Sequence, residues 1–281
     1  SPPRAVAAYP PSMRGSKPAQ PGHEDAAAPT AALASTIAGF LAVSSVHLTA
    51  QLVGPRWAAD LTQVLLMPLL AAALLWATVA PRGRLVLLML VGLGFSWLGD
   101  SVPRLLEGDT GFLAMLGGFL IAQVLYAVAF WPFRRRSLLR RPAVALLYLA
   151  VAAAIVALCA PGAGALLPAV VVYAVAIALM AVLATGLGVV AGIGAAVFVL
   201  SDALIALNAF GVLTLPGHGF WVMLTYLGAQ TMLVRAVHRE ASSGGCGGLS
   251  ACGRPRDPRG PARVRGAWPP SRRGPAPPRR R

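Results

Sequence analysis

Residues 187–210 read LGVVAGIGAAVFVLSDALIALNAF, 24 positions with one ionisable group, Asp202. A bilayer-spanning helix needs about 20 mostly apolar residues, so this stretch is long enough to cross. Its Ala and Leu content favours helix, and it lacks the alternation of a barrel strand. Seven further runs of the same kind precede or follow it, at about 30–53, 61–80, 85–106, 111–132, 142–160, 164–184 and 219–237. In lipid every backbone polar group needs an internal partner, which makes these segments helices. The expected fold class is all-α, a polytopic membrane protein built as an eight-transmembrane-helix bundle.

The composition of the 281 residues agrees. Hydrophobic residues make up 57% and charged residues 12%, and mean hydropathy is +0.70. A soluble domain carries about 25% charged residues. An ordinary soluble enzyme, a coiled coil and a disulfide scaffold are thereby disfavoured. The net charge of +15 would point to nucleic acid if it lay on one folded face. Instead, 12 of the 24 Lys+Arg residues lie from Arg235 onward, in or beside a Pro/Gly/Arg-rich tail, and most others form short clusters between apolar runs. No nucleic-acid partner is expected. Three cysteines (Cys159, Cys246, Cys252) form no metal or redox signature, and the four histidines (His23, His47, His218, His238) are scattered. Neither a metal nor another cofactor is expected. The domain organisation is read as a disordered tail over 1–29, a transmembrane domain over 30–239 and a disordered tail over 240–281, because both ends are low in complexity and in apolar periodicity.

Loop charge sets orientation. Arg82 and Arg84, then Arg134, Arg135, Arg136, Arg140 and Arg141, then Arg235 and Arg239 follow the second, fourth and eighth spans and share one side. The opposite connections hold Arg56 and Arg104 with Asp60, Glu107 and Asp109. The expected location is the cell membrane, with both termini cytoplasmic.

Two carboxylates, Asp100 and Asp202, lie inside apolar runs, where an ionisable group costs several kcal/mol and marks a functional site by default. Each lies 15 residues past the start of a span that enters from the cytoplasmic side. At 1.5 Å per residue both reach about 22 Å in, so they can meet across a bundle. Gln123 and Tyr126 share a face three apart, and Tyr226 and Gln230 four apart. Tyr173 and Gln63 (beside Thr62) come from two further spans that enter from the outer side. Together they predict a polar pocket in the outer half. The plainer alternative is that such Gln and Tyr side chains only hydrogen-bond between helices, and that Asp100 pairs with Arg104 one turn later. Asp202 has no basic residue within a turn. Gly186, Gly188 and Ala191 imitate a dinucleotide fingerprint but follow no strand; Ala184, Gly188, Gly192 and Ala196 read instead as a small-residue packing face.

Several ordered blocks resemble the YhhN-like lysoplasmalogenase family, over most of 61–237. They are Gly99-Asp100, the run from Phe119 to Tyr126, the run from Pro168 through Tyr173 to Met180, the run from Phe198 through Asp202 to Phe210, and Tyr226 to Gln230. Two positions depart from the family pattern. Gln123 stands where the family usually has His, and Thr62-Gln63-Val64 where it typically has Thr-Lys-Pro. The resemblance implies hydrolysis of the vinyl ether bond of a lysoplasmalogen, giving a fatty aldehyde and a glycerophospho-ethanolamine or -choline. It also implies Asp100 and Asp202 as a catalytic carboxyl pair, one protonated and one ionised. Gln63, Gln123, Tyr126, Tyr173, Tyr226 and Gln230 would then bind substrate or orient water and carboxyls. The implied partners are a lysophospholipid substrate and membrane lipids. Two competing readings remain at this level. One is a transporter or channel for a small solute or proton that uses the intramembrane Asp residues. The other is a non-catalytic lipid-binding member, which the two replaced cationic positions favour.

Overall fold

The computed structural model describes residues 24–106 and 108–249; the rest of the two expected tails lies outside the described residues. Among the described residues there is no strand. Eight α-helices follow in order: α1 (Glu24–Val53), α2 (Arg56–Ala77), α3 (Arg84–Ser101), α4 (Gly108–Phe130), α5 (Pro142–Ala163), α6 (Leu167–Ala184), α7 (Val189–Ala209) and α8 (His218–Leu249). The chain divides into two units, 1–244 and 245–281, and of the second only the helical stretch 245–249 is described. Helix thus begins before residue 30 and continues past 239, because a nucleated helix gains one hydrogen bond per residue added.

Among the described residues, seven helical segments are long and apolar enough to cross a membrane. The expected count was eight. The difference lies at Ala145–Leu187, a 43-residue apolar stretch that holds both α5 and α6, joined by a tight turn at Gly164–Leu166. Gly164 sits there at φ +49°, a conformation open to glycine, and α5 packs against α6. Large apolar side chains such as Leu41, Leu146, Leu147 and Val172 point outward, as in a bundle solvated by lipid. The core runs along α8, where Met223, Tyr226, Leu227, Ala229, Leu233 and Val237 are buried.

Two local features position the helices that matter below. Pro68 lies inside α2 and has no N–H, so the carbonyl four residues earlier loses its helical donor. That carbonyl belongs to Val64, and it accepts instead from Trp97 Nε1 of α3 at 2.9 Å. On the other side of α3, a Cβ on Gly118 of α4 would lie 2.8 Å from Gly99 Cα. Only paired glycines permit this backbone approach.

The expected small-residue face of the seventh span is not the one used. Gly188 adopts φ +110° and ends the preceding turn, so Ala184 and Gly188 are not on α7 at all. Its buried positions are Ala191, Gly194, Ala195, Phe198 and Ser201. Gly194 packs against α8, where an added Cβ would meet Met232 Cβ at 2.8 Å.

Candidate active site

A cavity of about 450 Å³ opens where α1, α3 and α7 end and α2 and α8 begin. Asp100 and Asp202 both line it, together with Gln63 and Tyr226. Asp100 is the penultimate residue of α3 and is 8% exposed. Both of its oxygens are engaged. Gln63 Nε2 donates to Oδ1 at 2.9 Å, and Tyr226 Oη donates to Oδ2 at 2.9 Å. The Trp97–Val64 bond explains the first contact, since Val64 adjoins Gln63 and Trp97 lies one turn before Asp100.

The plainer alternative, an ion pair between Arg104 and the Asp100 carboxylate, is not formed. The last carbonyls of an α-helix lack helical donors, and Arg104 Nε donates to the Asp100 main-chain carbonyl at 3.0 Å. Its guanidinium reaches Asp60 and the Gln63 side-chain oxygen. Gln63 therefore links a guanidinium to a carboxylate, accepting from one and donating to the other.

Asp202 lies seven residues before the end of α7 and accepts from the Tyr173 hydroxyl through Oδ2. It borders a second, smaller cavity of about 50 Å³ as well, which shares Met115, Phe119 and Ile205 with the first. Tyr173 lines that smaller cavity. Counted from the observed helix starts, Asp100 is 16 residues along α3 and Asp202 13 along α7. At 1.5 Å per residue that is an offset of about 4.5 Å.

The other expected site residues lie elsewhere. Tyr126 and Gln230 are fully buried and bond to each other, Tyr126 Oη donating to Gln230 Oε1 at 3.3 Å. Gln230 Nε2 donates to Ser96 Oγ at 3.2 Å, and Ser96 and Tyr126 hydroxyls stand 3.4 Å apart. Ser96 is one turn before Asp100 on α3, so this triangle supports the site from below. Gln123 is also fully buried. It approaches the Tyr173 phenol, but neither of its amide atoms reaches hydrogen-bond geometry.

The cavity wall includes residues that the sequence reading passed over, among them Gln51, Ser201, Asn208 and His218. Ser96 carried a usable signal, its spacing of four from Asp100. Gln51 and His218 carried none, since each sits at a helix end where polar residues are common. No group of three or more His, Cys, Asp or Glu side chains is placed to hold a metal among the described residues.

A sequence model of the YhhN family matches residues 58–237. No curated protein and no solved structure matches the chain. The matched region starts within α2 and ends in α8, and it contains Gln63, Asp100, Tyr173, Asp202 and Tyr226. With more than half of its length matched, the chain belongs to the YhhN family.

Proposed function

We propose that the protein is a membrane hydrolase that cleaves the vinyl ether bond of a lysoplasmalogen, using Asp100 and Asp202 as its carboxyl pair. The observation that carries the reading is that two carboxyls from different apolar helices line one cavity, each with a phenol donating to it. An isolated carboxylate at membrane depth is costly, and two held in one cavity fit acid–base work better than packing.

The chemistry balances with these groups alone. One carboxyl gives its proton to the alkenyl carbon remote from oxygen, leaving an oxocarbenium ion. The other takes a proton from the water that attacks it. The resulting hemiacetal collapses to a fatty aldehyde and the free hydroxyl of a glycerophospho-ethanolamine or -choline. Tyr226 and Gln63 hold Asp100, Tyr173 holds Asp202, and the Ser96–Tyr126–Gln230 triangle keeps α3, α4 and α8 in register beneath them. The Arg104–Gln63–Asp100 chain of contacts supports a working site despite the departure at Gln63.

The same reading includes eight spans in the cell membrane with both termini cytoplasmic. A straight 43-residue helix would be about 65 Å long, twice the hydrocarbon core of about 30 Å, and α5 packs back on α6. The arginine-rich segment 134–141 then lies inside and the cavity mouth faces the outer half, open to an outer-leaflet lysolipid. The experiment is incubation of the purified protein with a 1-alkenyl lysophospholipid and assay of aldehyde. Folded protein that releases none overturns the reading.

A further inference from the structure

Helix α1 precedes the matched family region, yet it ends on the cavity, where Gln51 forms part of the wall. His47 lies one turn earlier and is completely buried. Its surroundings define its hydrogen positions. Thr62 Oγ1 is 2.6 Å from the Ala58 carbonyl and donates to it, so its oxygen is left to accept. His47 Nδ1 faces that oxygen at 2.8 Å and the Ala59 carbonyl at 3.1 Å. Between two acceptors, Nδ1 carries the hydrogen, and a neutral ring then accepts at Nε2. Gln51 Nε2 supplies that bond at 3.3 Å. The opposite amide orientation would require an imidazolium buried near the Arg104 guanidinium, an uncompensated charge away from water.

With its nitrogen committed to His47, Gln51 has its oxygen free. No described group donates to Gln51 Oε1, and it lies over Gly219 so closely that a Cβ there would overlap it. An amide oxygen on a cavity wall without a donor reads a donor on the ligand. We propose that Gln51 is a headgroup-selecting residue, whose side-chain oxygen, held by His47, accepts from the N–H of a primary ammonium and so favours that headgroup over a trimethylammonium.

The proposal rests on the hydrolase reading for its substrate and adds which headgroup the site takes. A trimethylammonium has no N–H and leaves the Gln51 oxygen without a partner. Quaternary ammonium groups are usually recognised by aromatic cages. Here the cavity's Phe119 and Tyr226 rings pack edge to face on each other, 5.7 Å apart, with Tyr226 tied to Asp100. His47 is a positioning residue, acting only through Gln51.

The test uses the purified full chain and two 1-alkenyl lysophospholipids that differ only in headgroup, ethanolamine against choline. Wild type is expected to prefer ethanolamine in kcat/KM. Gln51→Leu should lower that preference about tenfold, through the KM of the ethanolamine substrate, as loss of a bond to a charged group does. Gly219→Ala, which pushes the Gln51 oxygen aside without removing it, should move the ratio the same way. His47→Leu should lower it too and add nothing to Gln51→Leu. A ratio unchanged in both Gln51→Leu and Gly219→Ala, or a wild type that prefers choline, overturns the proposal. If wild type releases aldehyde from neither substrate, the hydrolase reading falls, and the headgroup proposal is decided by displacement of a fluorescent lysolipid. Stronger displacement by glycerophosphoethanolamine than by glycerophosphocholine upholds it; equal displacement ends it.

Discussion

Tyr226 Oη donates to Asp100 Oδ2 at 2.9 Å and joins α8 to the end of α3 across 126 positions of sequence. The Tyr226 ring is held on both sides, edge to face with Phe119 and with Phe198, each centroid 5.7 Å away. The hydroxyl is therefore delivered by packing that does not depend on the hydroxyl.

Tyr226→Phe should separate the two roles. The aromatic contacts remain and one donor to Asp100 is lost. Stability should fall by about 1 kcal/mol, seen in thermal unfolding in detergent. Aldehyde release should fall about tenfold or more, the scale of losing one oriented donor in a closed site. A variant with the full wild-type rate would remove Tyr226 from the mechanism.

Asp100→Asn and Asp202→Asn should each lower kcat about a thousandfold, the middle of the range for loss of an acid or base. At position 100 the new amide also turns its NH₂ toward one of two donors, Gln63 or Tyr226, so some stability is lost as well. The double variant should be little slower than either single one, because groups acting as a unit are not additive. Independent, multiplying effects would show that the carboxyls do not work together.

Trp97→Phe leaves the Val64 carbonyl without its donor, next to a proline that cannot replace it. A half-buried acceptor left unpaired costs about 1 kcal/mol, the low end for an orphaned group. Turnover should drop with it, since Val64 carries Gln63 and Trp97 carries Asp100. Unfolding measurements and aldehyde assays on the same sample would show whether the two losses travel together.

Gly118→Ala should destabilise by about 1–3 kcal/mol, the usual cost of overpacking, because its Cβ meets Gly99 backbone rather than a flexible side chain. Gly117→Ala is the control. Its Cβ would meet nothing within 4 Å, so the better helix propensity of Ala should make it neutral or slightly stabilising. Equal effects at both positions would show that the α3–α4 approach is not close in solution.

The orientation is open to labelling in intact cells, in a background without native cysteine. Arg140→Cys should resist an impermeant thiol reagent added outside, and Asp109→Cys should react. The reverse pattern would invert the bundle.

The membrane-spanning character and the identity of the two central carboxyls were legible in the chain itself. Hydropathy is a local property, and the cost of an unpartnered carboxyl at Asp100 or Asp202 in lipid can be read without the fold. The break between α5 and α6 was legible as well: the expected spans 142–160 and 164–184 fall on the two observed helices, with Gly164 at the turn. Which polar residues join the carboxyls was decided by tertiary structure. Gln63 and Gln123 look alike in sequence, each an amide in an apolar run, yet one bonds Asp100 and the other is buried without a hydrogen bond. Tyr226 reaches Asp100 while Tyr126 turns to Ser96 and Gln230. Helices that are apolar on every face carry no record of which face turns inward. That rotation is fixed by contacts between distant positions, the Gly99–Gly118 approach and the Trp97–Val64 bond among them, and only the assembled bundle contains these.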